Sequence, residues 1–545
     1  MKVHRKRMVV LIFVLILIAL PFSLQAAVFS YSAKHRPHHS MGSASVGDME
    51  TVLPGTLEDL QEFETNLPIV VVNFYGEPLA PTVWNDQKGY REPIEGDPFV
   101  EGTFALYNSA AGINRLSDAP VAETDIRARL RGNSSLSFAK SQYLIKMYDE
   151  DGTKNKQDLL GMGAEWEWIL NISYIDKSLL RNYICLNLAS EIMGYAPEVR
   201  FCEVFEKDED QYSYCGVYLL MENVKRSDSR IAITEYDPHF VESSYLLCRD
   251  RYDEERPMLD TFATRQGLSA GYLGVRYPSK NEITDETMAF IEEDISRLER
   301  ALYSEDINEF LAYREYVDMA SAADYFIINE FFANYDAAQN SYYIYKDVGG
   351  KLTFGPVWDY DQAIDNNQPH VLETNSTAMH DAVWLRQMMR DGAFVELILE
   401  RYAELRRGAL SDQYIGEYID GALGFLGKAV VRDWNRWHYD DHEVLYKDSQ
   451  AGKVHPSLLS NTRDFEEEIA HVKQILQEHG AWLDENLDSL YQFSDIESEQ
   501  YRATAADPAL NTFFGSERAN WISGSLAILL IIVFFSSIVL IQRET

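Results

Sequence analysis

The sequence has few cysteines and few basic residues for its length. Four cysteines among 545 residues are too few for a domain held together by disulfides. Lysine and arginine number 49 against 86 aspartate and glutamate residues, which gives a formal charge of −37. This charge argues against nucleic acid as a partner, because phosphate binding requires a basic surface. The chain is long enough for one large or two medium domains with a full core.

Both glycine-rich fingerprints of common nucleotide-binding folds are also missing. Neither the GxxxxGK[ST] pattern nor the GxGxxG pattern occurs in the chain. No pair of cysteines has the spacing of zinc ligands. Cys202 and Cys215 flank a polar turn in a predicted hairpin, and either a disulfide or two buried free thiols fits that position.

Two long apolar runs stand at the ends of the chain. Residues 1–27 have the basic, apolar and small-residue order of a signal peptide, or form an N-terminal membrane anchor. Residues 521–541 are long enough for a transmembrane helix. Basic residues lie at the outer flank of both runs. The positive-inside rule therefore predicts a membrane-anchored protein with an extracytoplasmic ectodomain at the cell surface and a cytoplasmic tail, residues 542–545.

The remaining chain is predicted to be an α+β ectodomain. Residues 28–65 are polar and read as a linker, residues 66–493 as the folded domain, and residues 494–520 as a stalk. Short β-branched runs dominate the first half of the domain, and helical apolar spacing begins near residue 285. Helices are predicted over residues 316–332, 382–403, 412–434 and 464–491. The fold is thus β-rich in its N-terminal half and helical in its C-terminal half.

The acidic segment 355–361 is the first candidate functional site. A glycine turn and apolar residues at 349–354 predict a strand that leads into it. If the strand continues, Asp359 and Asp361 point to one face, because residues two apart do so in an extended chain. Two carboxylates beside substrate phosphates are what Mg²⁺ takes from a protein. Asp336 would be a nearby base, and a solvated acidic strand end is the alternative interpretation.

A polar loop between two predicted strands is the second candidate. Arg131, Asn133 and Ser134 lie in this loop, and a lysine-bearing strand follows it. Backbone N–H, hydroxyl and cationic groups in such an arrangement can cradle phosphates. An ordinary polar hairpin turn is the alternative. Glu222 ends a predicted central strand and is an acid able to pair with a lysine.

Taken in order, these segments resemble the spore coat protein H (CotH) family of atypical kinases. The resemblance covers roughly residues 67–490. It rests on the segments 130–135 with Lys140, 176–178 with Arg181 and Asn182, 216–222, 277–278, 329–336 and 355–361.

The resemblance implies an atypical protein-kinase-like fold that binds ATP with Mg²⁺ or Mn²⁺. The implied activity is phosphorylation of serine, in known cases on basic coat proteins. By motif, Asp336 would be the catalytic-region aspartate, and Asp359 and Asp361 would contact the metal. The implied ATP-binding residues are Arg131, Asn133, Ser134, Lys140, Lys146 and Glu222, the last as an ion-pair partner of one of the two lysines.

Two other functions fit the same scaffold or the same carboxylates. One is a catalytically silent cell-surface binding protein or adhesin on the CotH scaffold, since a fold does not guarantee its chemistry. The other is a metal-dependent hydrolase. Asp336, Asp359 and Lys140 together favour the kinase, because a pure binding protein does not need them. The acidic segment has no histidine-rich metal set beside it, which argues against the hydrolase.

Overall fold

The structure is a computed structural model that describes residues 59–80, 82–85, 90–93, 97–132, 134–250, 256–268, 272–338, 340–366, 377–437 and 464–494. Asn133, the predicted segments 1–27 and 521–541, and nearly all of the predicted linker and stalk lie outside these ranges. Within the described ranges, no helix is both long and apolar enough to cross a membrane.

Fifteen strands are described, most of them in the N-terminal half. They are β1 (Ile69–Asn73), β2 (Thr82–Asn85), β3 (Tyr90–Pro93), β4 (Val100–Tyr107), β5 (Ala122–Leu130), β6 (Tyr143–Tyr148), β7 (Gln157–Asp158), β8 (Ala164–Glu165), β9 (Glu167–Ile172), β10 (Val199–Asp208), β11 (Gln211–Glu222), β12 (Tyr245–Asp250), β13 (Tyr272–Tyr277), β14 (Tyr342–Lys346) and β15 (Thr353–Phe354).

Seven of these strands close into a barrel in the order β1-β10-β11-β9-β6-β5-β4. Neighbouring strands are antiparallel except for the parallel pair β1 and β10. Successive side chains on a strand point to opposite faces, so Ile126, Ile145 and Met147 fill the barrel interior. Leu144 lies on the other face of β6 and packs into the core that the barrel shares with the helices.

A second sheet and the helices form the rest of the domain. The sheet has the order β13-β12-β14-β15. The helices are α1 (Arg181–Ile192), α2 (Phe262–Arg265), α3 (Asp285–Leu302), α4 (Ile307–Leu311), α5 (Tyr313–Tyr316), α6 (Met319–Phe331), α7 (Val383–Met388), α8 (Gly392–Leu405), α9 (Asp412–Leu426), α10 (Ala429–Trp437) and α11 (Phe465–Asn486). The predicted division into a β-rich first half and a helical second half is confirmed.

The predicted long helices are interrupted at polar and glycine residues. The helix expected over 382–403 is two helices, α7 and α8, and Asp391 caps the second by accepting the N–H of Ala393. The helix expected over 412–434 ends at Leu426 and resumes as α10, because Gly427 has a positive φ of 48° at the C-terminus of α9.

The predicted hairpin with two cysteines is the pair β10 and β11. Cys202 lies opposite Tyr218, and Cys215 lies beside the irregularity at which the register of the two strands shifts. Both cysteines are free thiols in the structure, so of the two alternatives the structure shows the unlinked one.

Helix α10 is anchored to the barrel by two buried ion pairs. Lys140 Nζ lies 2.8 Å from Asp433 Oδ1 and 2.7 Å from the carbonyl oxygen of Val217. One residue earlier on α10, Arg432 donates two hydrogen bonds to Glu203, at 2.7 and 2.6 Å. Lys140 and Asp433 have no exposed side-chain surface, so their charges compensate each other inside the protein.

Candidate active site

The acidic segment is not the strand that its sequence predicts. Strand β15 ends at Phe354, and Asp359 has a φ of +64°, in the left-handed region that side chains with a Cβ seldom adopt. The predicted extended conformation is therefore wrong. The two carboxyl groups nevertheless meet, because a hydrogen bond joins the side chains of Asp359 and Asp361.

Three buried asparagines hold the backbone of residues 359–361. Asn334 Nδ2 donates to the carbonyl oxygen of residue 359 at 3.2 Å. Asn182 Oδ1 accepts the N–H of residue 360 at 2.8 Å, and Asn366 Nδ2 donates to the carbonyl oxygen of residue 361 at 2.6 Å. None of the three asparagines is more than 2% exposed. These contacts stabilise the strained turn that brings the two carboxyl groups together.

Arg181 holds the end of the same loop. Its guanidinium donates to the carbonyl oxygens of Ala363 at 2.8 Å and Ile364 at 3.1 Å. It also pairs with Asp176 and with Glu468 on α11, both at 2.7 Å. Asp176 accepts the backbone N–H of Arg181, the first residue of α1, at 2.8 Å. The loop is thus tied to the start of α1 and to the last helix.

Asp336 lies close enough to influence both carboxyl groups. Burial, followed by the charge of Asp336, raises the pKa of Asp359 to about 6, and Arg131 opposes this rise. Burial and the charges of Asp359 and Asp336 raise the pKa of Asp361 well above its usual range. Ionisation of one carboxyl group disfavours ionisation of its neighbours unless a cation compensates the charge.

The donor set fits a cation that completes its shell with other oxygens. Within the described residues, no group of three or more His, Cys, Asp or Glu side chains is arranged to hold a metal ion alone. Mg²⁺ commonly takes only one or two carboxylates from the protein and its other ligands from water and phosphate. Asp359 and Asp361 offer such a pair, and a cation bound there would compensate the charge of the two carboxylates.

Asn340 is a residue of this site that the sequence interpretation missed. Its Nδ2 donates to Asp336 Oδ1 at 3.1 Å, and its backbone N–H donates to the carbonyl oxygen of Asp336 at 2.8 Å. The one feature of the sequence that indicates this contact is the position of Asn340, four residues after Asp336 at the end of a short turn. Asn340 fixes the orientation of the Asp336 carboxylate.

Arg131 is the predicted nucleotide contact that the structure places beside the acidic loop. Its guanidinium carbon lies 4.9 Å from the ring centroid of Trp358, the residue before Asp359. Burial lowers the pKa of Arg131 to about 10, and the charges of Tyr343 and Asp359 oppose that shift. Arg131 therefore remains a cation at neutral pH, next to the carboxyl pair.

The other predicted nucleotide contacts are distributed differently. Lys140 is enclosed with Asp433 and has no surface open to a nucleotide, so the structure does not place it as the ATP contact that the resemblance implies. Lys146 is half-buried on β6 and lies 3.7 Å from Glu167. Glu222 forms an ion pair with Arg230 at 2.8 Å, whereas the sequence predicts an ion pair with a lysine. Ser134 begins a short 3₁₀ turn, Ser134–Ser137, and Asn133 lies outside the described residues.

A histidine of α11 contacts the same acidic loop. His471 Nε2 lies 3.3 Å from Asp365 Oδ2, and the hydrogen bond to Asp365 raises the pKa of His471. Arg181 opposes this rise, and Glu468 supports it. A pKa raised by folding stabilises the folded state below the unfolded value of about 6.5, and that stabilisation is lost as the pH rises through the folded value.

We therefore expect the stability of the wild type to fall more steeply than that of His471→Gln as the pH rises from about 6 to 8. The difference should stay below about 1 kcal/mol because both side chains are partly exposed. Thermal melts at a series of pH values measure it, with the exposed His239→Gln variant as the control. Parallel pH profiles for wild type and His471→Gln would contradict the expected coupling.

Comparison with known proteins gives the family of the chain. The profile of the CotH kinase protein family matches residues 128–483, about two thirds of the chain and all of the residues at the carboxyl pair. The chain belongs to the CotH kinase family. The inner spore coat protein H of Bacillus subtilis (strain 168) is 23% identical over 245 residues, which cover 44% of this chain and 58% of that relative. The chain thus matches little more than half of the relative's length. Membership makes atypical kinase chemistry the expected activity.

Proposed function

We propose that this CotH family member is an atypical, ATP- and Mg²⁺-dependent kinase that phosphorylates serine on basic coat or surface proteins. The observation that carries the proposal is the convergence of Asp359, Asp361 and Asp336 with the cation of Arg131. Phosphoryl transfer needs little covalent help from the protein, so positioning and neutralisation of charge are most of the catalytic requirement.

Asp359 and Asp361 would hold Mg²⁺ or Mn²⁺, and that ion supplies neutralisation of phosphate charge when it is bound. Asn182, Asn334 and Asn366 keep the two carboxyl groups in place through the backbone between them. A metal ligand held by a rigid loop needs little rearrangement when it binds, which favours affinity and fixed geometry.

Asp336 would accept the proton of the substrate hydroxyl. It is half-buried, so one side of the carboxylate remains within reach of a substrate. Asn340 holds one of its oxygens at 3.1 Å and thereby orients the group. A carboxylate within hydrogen-bond distance of a serine hydroxyl can both position the nucleophile and take its proton.

The nucleotide would lie along the face of β5 and β6 that carries Arg131 and Lys146. Backbone N–H groups of the turn at Asn133 and Ser134 remain predicted phosphate contacts. Lys140 instead supports the site indirectly, because its ion pair with Asp433 anchors α10 to the barrel.

The proposed substrate and location follow from charge and from the terminal segments. A chain with a formal charge of −37 attracts basic peptides through electrostatic steering. The named relative is a spore coat protein, which supports a coat or surface protein as the substrate. The apolar segments 1–27 and 521–541 would anchor the enzyme with its folded domain outside the membrane.

The test is phosphate transfer by the full-length protein. Labelled ATP with Mg²⁺ or Mn²⁺ is supplied with three acceptor peptides: one rich in serine and lysine, one with alanine for serine, and one with glutamate for lysine. We expect label on the first peptide alone and complete loss with EDTA, because the phosphate charge is then no longer neutralised. Absence of both nucleotide binding and transfer would contradict the kinase and favour a surface-binding protein on the same scaffold.

A further inference from the structure

Two arginines lie beside the aromatic residues of the acidic loop and its neighbouring strand, and a third lies close to them. Arg131 follows β5 directly and is stacked over Trp358, while Arg276 of β13 lies over Tyr343, with its guanidinium carbon 5.9 Å from the ring centroid. Arg276 also donates to the Tyr343 hydroxyl at 3.4 Å. The rings of Trp358 and Tyr343 meet edge to face at 6.2 Å. Two guanidinium groups thus contact the same pair of aromatic rings, next to the carboxyl pair.

Arg129 extends this cluster along the barrel. It lies two residues before Arg131 and hence on the same face of the chain. Its guanidinium carbon is 5.6 Å from the ring centroid of Phe99. Burial lowers the pKa of Arg129, and the charge of Arg276 contributes to the shift. The three cations are therefore near enough to repel one another.

The arginines of this cluster differ in their partners from the buried arginines of the protein. Arg181, Arg230, Arg314 and Arg432 each form a close ion pair with a carboxylate. Within the part of the chain that the structure describes, none of the three clustered guanidiniums has a carboxylate oxygen within 4.0 Å. Within the described residues, the carboxylates that act on these three cations (Asp359, Glu167 and Asp250) do so from beyond ion-pair distance, so the cluster is suited to an anion.

We propose that Arg129, Arg131 and Arg276 bind the phosphate chain of the nucleotide, with Arg276 reaching it from the second sheet. The inference rests on the proposed kinase function and assigns Arg129 and Arg276, which neither the motifs nor the family match singled out. Guanidinium groups bind two phosphate oxygens at once, and they also stack on aromatic rings. Arg131 and Arg276 are stacked on aromatic rings in this structure. They would take the role for which Lys140, enclosed with Asp433, is not available.

The assignment has a consequence for nucleotide selectivity. The contribution of the three arginines should grow with the number of phosphates, since each added phosphate brings more negative charge to the cluster. Substitution of Arg276 should therefore weaken ATP binding strongly, ADP binding less, and AMP binding least.

The experiment is calorimetric titration of the full-length protein with ATP, ADP and AMP in the presence of Mg²⁺. The variants are Arg276→Gln and Arg129→Gln. The matched control is Arg127→Gln, which lies on the same face of β5 but already pairs with Asp97. We expect the Kd for ATP to rise roughly 10- to 100-fold in each of the two test variants and less than about threefold in the control. Arg276→Lys should restore part of the affinity, because the charge returns without the fork.

The possible results separate this inference from the kinase proposal. Wild type that binds ATP while Arg276→Gln and Arg129→Gln bind it equally well would overturn the phosphate assignment and leave the kinase intact. An equal loss of ATP and AMP affinity would also overturn it, because the contacts would then not be to the phosphate chain. Wild type that binds no nucleotide would refute the proposed function, and the inference with it. Arg276 is exposed, and thermal melts confirm that its variants are folded.

Discussion

Asp359→Asn should lower the rate of phosphate transfer by roughly 10²- to 10³-fold, the equivalent of several kcal/mol in the transition state. The amide keeps the size and hydrogen-bonding shape of the carboxyl group but removes the charge that would hold a divalent cation. The backbone contact from Asn334 is to the carbonyl oxygen of residue 359, so it persists in the variant. The loss should therefore be catalytic, with little change in melting temperature.

The matched control for this variant is Asp347→Asn. Asp347 is also half-buried and accepts backbone N–H groups from Thr234 at 2.9 Å and Val348 at 2.8 Å, but it lies in the turn after β14. Initial rates of labelled phosphate transfer, measured over a range of Mg²⁺ concentrations, compare the two variants with wild type. Near-normal phosphate transfer by Asp359→Asn would contradict the assignment of the metal to this carboxyl pair.

Gly216→Ala should reduce the free energy of unfolding by about 3–5 kcal/mol. Gly216 has a φ of +108°, and a Cβ there would lie 2.2 Å from Asp433 Oδ1 and 2.8 Å from Trp437 Nε1. Asp433 cannot move away cheaply, since the same oxygen accepts from Lys140 at 2.8 Å and from the N–H of Val217 at 2.7 Å. The added methyl group would break the buried ion pair that anchors α10.

Gly152→Ala separates the steric effect from the backbone effect. Gly152 also has a positive φ, +81°, but a Cβ there would meet no atom within 4 Å. Only the cost of the left-handed conformation, about 1–2 kcal/mol, should remain. Urea denaturation of wild type and both variants gives the comparison. Equal destabilisation by the two substitutions would show that the Lys140–Asp433 pair is not disturbed.

The division of the fold into β and α halves could be predicted because hydrophobic periodicity is a local property of the chain. The interruptions could be predicted only in part. Asp391 and Gly427 carry helix-capping signals, but both lie inside runs whose apolar spacing continues on either side. The closure of the barrel depends on pairing between β1 and β10, which are far apart in sequence, and no local pattern reports that pairing.

The candidate site shows the same limit. Asp359 and Asp361 do meet, but through a left-handed turn held by distant asparagines rather than along a strand. Lys140 was predicted at the phosphates because it follows the polar loop, whereas its partner Asp433 lies 293 residues further along the chain. Arg276 stands directly before the quoted segment 277–278, yet no local pattern in the sequence reports that it lies near Arg131.

The contacts of Arg181 join segments that are synthesised at different times. The guanidinium joins the end of the acidic loop, 182 residues downstream, to Glu468 on α11, 287 residues downstream. A ribosome that has exposed the barrel and the acidic loop but not yet α11 presents Arg181 without that carboxylate. We therefore expect the loop that carries Asp359 and Asp361 to reach its final conformation late in translation, only once α11 has been synthesised.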